Sequence, residues 1–115
     1  MSTEQANKNS IKDISPQDAH KLIEEHKNDP NFIILDVRTP WEFSDDHIPG
    51  AENLDFTDPD FPEMVEKLDK NKKYLIYCKS GVRGGKVTKI FIDSGFNDVY
   101  NLLGGFEAWK KDTSI

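Results

Sequence analysis

The sequence predicts a small α/β domain built around a parallel sheet, and three observations carry that prediction. Short, nearly continuous apolar runs alternate along the chain with stretches of helical periodicity, the pattern of βα units that pair their strands in parallel. The strongest runs lack the apolar–polar alternation of a strand with one wet face, so they are expected to be buried on both faces. The chain has 115 residues and neither an internal repeat nor a low-complexity linker. That length suits one domain with a modest core rather than two.

The elements follow in order. MSTEQANKNS contains no apolar segment of the signal-peptide kind, so residues 1–10 are read as a flexible polar tail and 11–115 as the domain. SPQDAHKLIEEH opens a helix with Ser15 as N-cap and Pro16 in the first helical position. Ala19, Leu22, Ile23 and His26 form its apolar stripe, and NDP stops it. FIILDV (32–37) is a buried strand. TPWE follows directly, with Thr39 as cap and Glu42 three residues later, a capping box on a short helix. HIPGA is a turn and ENLDF a short strand. FPEMVEKL places Met64, Val65 and Leu68 on one helical face. YLIYC (74–78) is the second buried strand. VRGGKVTKIFIDSG is a helix with Val87, Ile90 and Phe91 at helical spacing and Gly95 as C-cap. NDVYNL is a further strand, and GGFEAWKK is a tight turn into a last short helix.

Composition narrows the function. The net charge is −6, which disfavours nucleic acid and anionic membrane surfaces as partners. No apolar run approaches the ~20 residues of a membrane span. The single cysteine, Cys78, can form neither an intramolecular disulfide nor a cysteine-rich zinc site, which points to the reducing cytoplasm. No metal-ligand cluster or nucleotide phosphate loop is present.

Cys78 lies in an acid-free window. Between Lys70 and Lys89 there are seven basic residues, and the first carboxylate after them is Asp93. Ligands of parallel sheets bind beyond the carboxyl ends of the strands. Cys78 ends its expected strand and Asp36 stands near the end of another, so Asp36, Arg38 and Cys78 should meet at one edge of the sheet. A thiol attacks as its thiolate. Here the start of a helix, the adaptable Gly81, Lys79 and Arg83 would all favour an anion. A lone cysteine is often simply a small buried hydrophobe, but this position favours a nucleophile. His20 and His26 are read as packing or surface residues, and His47 as stabilising a turn rather than acting as a base. Trp41 and Trp109 are read as core or rim aromatics.

Three stretches in this order carry a resemblance. LDVRTPWEFSDDHIPGAENL (35–54), YCKSGVRGGK (77–86) and NLLGGFEAWK (101–110) resemble the signatures of the single-domain rhodaneses, a sulfurtransferase family, over about residues 11–111. The resemblance implies a rhodanese-like domain with a mainly parallel five-stranded sheet and helices on both faces. It implies that Cys78 is the nucleophile: its thiolate takes the outer sulfur of thiosulfate, sulfite leaves, and a Cys78 persulfide passes the sulfur to cyanide or a thiol. The amides of Lys79, Ser80, Gly81, Val82 and Arg83 would cradle the persulfide, with Lys79 and Arg83 holding the anionic donor. Asp36, Arg38 and Glu42 are expected as supporting polar groups. No metal and no cofactor beyond the covalent persulfide are implied. The implied partners are a small anionic sulfur donor and a thiol, cyanide or sulfur-accepting protein.

Two positions depart from the family pattern. Asp46 replaces the glycine usual before the histidine of HIPGA, and Gly84 and Gly85 follow Arg83 where serine or alanine is frequent. The double glycine should weaken the start of its helix by about 1 kcal/mol per residue relative to alanine. Two other functions compete. A phosphatase or arsenate reductase on the same fold uses Cys-x5-Arg, whereas Cys78 to Arg83 is Cys-x4-Arg. A persulfide carrier or oxidant-sensing module with little turnover would use the same residues.

Overall fold

The computed structural model describes residues 12–80 and 82–112, with side chains for all of these except 82–84. The helix starts marked in the sequence form as local hydrogen bonds. The Ser15 hydroxyl oxygen accepts from the Asp18 N–H at 3.1 Å and caps α1 (Pro16–Glu25). Thr39 and Glu42 cap α2 (Pro40–Asp45) reciprocally. The Glu42 carboxylate accepts from the Thr39 N–H at 3.1 Å, and the Thr39 oxygen accepts from the Glu42 N–H at 3.4 Å. In α3 (Phe61–Glu66) Phe61 and Val65 are buried, whereas Met64 and, just beyond the helix, Leu68 are half-buried. The long helix α4 (Val82–Asp93) ends where expected: Gly95 has φ +98°, and the Phe96 N–H donates to the Phe91 carbonyl at 3.1 Å. The rings of those two phenylalanines close this Schellman turn with centroids 4.6 Å apart. The last helix is α5 (Gly105–Lys111).

Five strands make one sheet: β1 (Lys12–Ile14), β2 (Phe32–Asp36), β3 (Glu52–Asn53), β4 (Lys73–Tyr77) and β5 (Asp98–Leu102). Their order is β1-β5-β4-β2-β3, and every neighbouring pair is parallel. Strand β1 was not read from the sequence. It is three residues long and pairs only with β5, so nothing in its own neighbourhood marks it.

The central strand β4 is covered on both faces, which accounts for its continuous apolar run. Tyr74 and Ile76 pack with Phe61 and Val65 of α3 and Val87 and Phe91 of α4. Leu75 and Tyr77 point the other way, towards Ala19 of α1 and Phe106 of α5. Trp41 proves not to be a core residue: it is 85% exposed on α2. Trp109 is half-buried and stacks on His20 with ring centroids 3.5 Å apart. Among the described residues no helix is long and apolar enough to cross a membrane, and no group of His, Cys, Asp and Glu could hold a metal ion.

Candidate active site

Strand β4 ends at Tyr77, one residue earlier than the sequence suggests, so Cys78 is the first residue beyond the carboxyl end of the central strand. Its side chain continues the alternation of β4 onto the α3–α4 face, beside Leu35, Val37 and Val87, and is 1% exposed. The next two side chains, Lys79 and Ser80, are exposed. Gly81 lies outside the described residues, as do the side chains of Val82 and Arg83.

The loop after β4 is tied down by a helix distant in sequence. The Phe106 N–H donates to the Cys78 carbonyl at 2.8 Å, and the Glu107 N–H donates to the Lys79 carbonyl at 3.0 Å. Two of the N–H groups that α5 cannot satisfy internally are therefore spent on this loop. The C=O of one residue and the N–H of the next point in opposite directions across a trans peptide. Drawing these carbonyls towards α5 thus turns the Lys79 and Ser80 N–H groups away from it. The tight turn into α5 depends on Gly104, at φ +76°, where an added Cβ would lie 2.5 Å from the Ala108 Cβ.

Asp36 and Arg38 reach the same edge as Cys78, because Asp36 is in register with Tyr77. They form a buried ion pair. Arg38 Nη2 donates to Asp36 Oδ2 at 2.6 Å, Arg38 Nε donates to Oδ1 at 3.0 Å, and the Arg38 backbone N–H donates to Oδ1 at 2.9 Å. Asp36 is fully buried and Arg38 is 5% exposed. Burial works against the guanidinium charge, but the hydrogen bonds and charge of Asp36 outweigh it and hold Arg38 above its usual pKa.

The pair braces the α5 face of the edge. Arg38 Nη2 donates to the Asp46 carbonyl at 2.6 Å, and its guanidinium lies 4.5 Å from the Phe106 ring centroid. Asn53 Nδ2 donates to the carbonyls of both Asp36 and Arg38 at 2.9 Å. Below them the Tyr77 hydroxyl oxygen accepts from the Ile48 N–H at 3.1 Å, and burial raises its pKa far above the usual value, so it stays neutral. Glu42 accepts from the Thr39 N–H and hydroxyl, and so anchors the start of α2. His47 hydrogen-bonds through Nδ1 to the Phe43 carbonyl at 2.7 Å and stacks on that ring, so it braces its turn.

The basic window of the sequence disperses in space. Lys70 pairs with Glu66 and Lys89 with Asp93, both on the surface. Lys73 starts β4, at the end opposite Cys78, beside Asp98. Lys79 alone of these lines the cleft of about 710 Å³ that opens between α2 and α5, over Arg38 and Phe106. Phe106, Lys110 and Lys111 of that cleft were not picked out from the sequence, although the NLLGGFEAWK signature contains the first two.

A parallel α/β domain with its cysteine just beyond the central strand, in a loop held by the final helix, places a thiol where ligands of such sheets bind. The chain belongs to the rhodanese-like domain family, whose model matches residues 15–112. It is 35% identical over 99 residues to a thiosulfate sulfurtransferase, GlpE, of Coxiella burnetii, covering 86% of this chain and 87% of that one. It is 37% identical over 103 residues to the putative sulfurtransferase YtwF of Bacillus subtilis, covering 90% and 94%. Among solved structures, a rhodanese-like domain protein from Staphylococcus aureus superposes with a TM-score of 0.67 at 30% identity, covering 85% and 90%.

Proposed function

We propose that this protein is a cytoplasmic sulfurtransferase that moves a sulfane sulfur from thiosulfate or a related anionic donor to cyanide or a thiol through a Cys78 persulfide. The observation that carries the reading is the position of Cys78, directly past the central strand in a loop whose carbonyls are drawn back by the α5 N–H groups. The Cys78 thiolate attacks the outer sulfur of thiosulfate. The sulfur–sulfur bond of the donor breaks, sulfite leaves with the bonding pair, and a persulfide remains on Cys78. An acceptor thiolate or cyanide then attacks the terminal sulfur. The bond to Cys78 breaks, the Cys78 thiolate is regenerated, and the sulfur departs as an acceptor persulfide or as thiocyanate.

The N–H groups of Lys79 and Ser80, turned away from α5, serve as donors to the terminal sulfur, the role that the family resemblance also gives to the amides of Gly81, Val82 and Arg83. Lys79 and Arg83 hold the anionic donor. Asp36, Arg38 and Glu42 act through position: they brace the edge from which the loop springs. Cys78 is 1% exposed, so bulk water has little access to the sulfur that it carries.

Intact-protein mass spectrometry after thiosulfate treatment tests the proposal. One added sulfur, released by cyanide as thiocyanate and absent from Cys78→Ser, is the expected result. Turnover surviving in Cys78→Ser refutes the assignment. Repeated thiocyanate release distinguishes an enzyme from a sulfur carrier, and Cys78-dependent hydrolysis of aryl phosphates without sulfur transfer would favour the phosphatase reading instead.

A further inference from the structure

Of the large apolar side chains exposed among the described residues, Trp41 is the most open, at 85%. Tryptophan is enriched among the residues that anchor protein interfaces. Trp41 and Asp45 lie one helical turn apart on α2 and so share a face. Asp45 and Asp46 line the α2 wall of the cleft between α2 and α5, whereas Lys79, Lys110 and Lys111 line the opposite wall, from the loop and α5. All five are exposed, and among the described residues none of them forms an ion pair within the chain. Charges elsewhere on the surface do: Lys12 pairs with Asp98, Lys70 with Glu66 and Lys89 with Asp93. The other charged groups of the cleft are engaged or opposed. Glu42 caps α2, Arg38 pairs with Asp36, and Glu107 offsets part of the charge of Lys110 and Lys111 from one helical turn away.

Asp46 stands where the family signature usually has glycine, and its backbone explains why the change is tolerated. The residue has φ −168° and ψ 145°, an extended conformation open to any side chain. Its carbonyl still accepts from Arg38. The replacement therefore adds a carboxylate to the α2 wall without altering the chain path. The face thus carries an acidic wall edged by an apolar ring, opposite a basic wall, and the walls do not close on each other. A partner of one sign is attracted to one wall and repelled by the other, so a fitting surface carries both signs in reverse order. A two-fold axis running between the walls supplies that surface from a second copy: half a turn sets α2 of each copy against α5 of the other.

We infer that this face is the interface of a symmetric homodimer. Asp45 and Asp46 of each copy meet Lys110 and Lys111 of the other. The Trp41 ring packs on the stems of those lysines, with their ammonium groups attracted to its face. The inference stands apart from the sulfur-transfer reading, because the Cys78 side chain lies on the α3–α4 face and contributes nothing to this contact.

Sedimentation velocity of the unmodified protein should show a monomer–dimer equilibrium. Its dissociation constant should be about 10–100 µM, since the net charge of −6 on each copy opposes association. Trp41→Ala should weaken the dimer about thirtyfold, as for the loss of an interface anchor. Charge reversal provides the second arm. Lys110→Glu/Lys111→Glu sets acidic groups on both walls, and Asp45→Lys/Asp46→Lys sets basic groups on both, so each variant alone should be monomeric. An equimolar mixture of the two should form a heterodimer, because the reversed residues then meet opposite signs at both ends of the interface. Both variants keep a net negative charge, so general attraction does not account for such pairing. Circular dichroism shows that each variant is folded, as expected for substitutions of exposed side chains. The inference is overturned if the unmodified protein stays monomeric up to about 1 mM. It is also overturned if Trp41→Ala dimerises as tightly as the unmodified protein, or if the folded reversal variants do not pair on mixing, which would favour a partner other than a second copy.

Discussion

Replacing Asp36 by alanine removes the anion from the most deeply buried ion pair described here. Asp36 has no solvent exposure, and the Arg38 side chain has only 6%. The Asp36 carboxylate accepts four hydrogen bonds from Arg38: one from the backbone N–H, two from Nε and one from Nη2. Without them the guanidinium keeps the Asp46 carbonyl and the faces of Tyr77 and Phe106, but no compensating charge. Leaving one member of a buried pair unmatched costs about 3–5 kcal/mol. The remaining carbonyl and aromatic contacts place this case near the lower end, at about 3 kcal/mol. That is a large share of the roughly 5–15 kcal/mol that stabilises a typical domain. At about 4 °C per kcal/mol for a chain of this size, the melting temperature should fall by about 12 °C. Urea unfolding followed by circular dichroism gives the free energy directly. Asp36→Leu/Arg38→Met provides the control: two changes that leave no unpaired charge should cost less than the single one. A loss below about 1 kcal/mol for Asp36→Ala, or a double variant weaker than the single, would refute this account.

Three further outcomes follow from the same geometry. Gly104→Ala forces a residue with a side chain into φ +76° and sets its Cβ against Ala108, so stability should drop by about 2 kcal/mol or more. Hydrogen exchange at the Phe106 amide should quicken in that variant, because the turn positions the bond to Cys78; unchanged protection would contradict the role given to α5. Gly85 lies within α4 with nothing inside 4 Å of an added Cβ, so Gly85→Ala should stabilise the fold by about 0.5–1 kcal/mol in a urea titration; destabilisation would mean that the helix start requires glycine. Burial raises the Tyr74 phenol from 10.0 to about 12 in the folded state, where its hydroxyl donates to the Asp69 carbonyl at 2.7 Å. The folded protein then holds more protons than the unfolded chain across that window. The contribution is complete below the unfolded pKa of 10.0 and is lost as pH rises towards about 12. Tyr74→Phe should flatten the alkaline fall in the urea midpoint, and an unaltered slope would exclude Tyr74 as its source.

The features legible in the chain are those that neighbouring residues settle among themselves. The cap of Ser15 on α1, the Thr39–Glu42 box on α2 and the Gly95 turn after α4 each close within a few residues. The partners are then always near, and the residue types suffice to name the structure. The apolar runs of β2 and β4 likewise declared burial on both faces, and the three signature stretches declared the family. The tertiary structure decided everything that depends on distant partners. Strand β1 exists because β5 accepts it, with the Asn101 amide donating to Asp13 across 88 residues of sequence. Trp41 is exposed because, among the described residues, no element covers the outer face of α2, which its apolar ring could not reveal. The basic window around Cys78 is continuous in sequence, yet β4 carries Lys73 to the far end of the sheet while Lys79 stays beside the cleft. Lys110 and Lys111 reach that cleft only because α5 docks its N–H groups on the Cys78 loop. Parallel strands bring together residues far apart in the chain, so the neighbours of the Cys78 loop are set by packing, and composition around that cysteine does not foretell them.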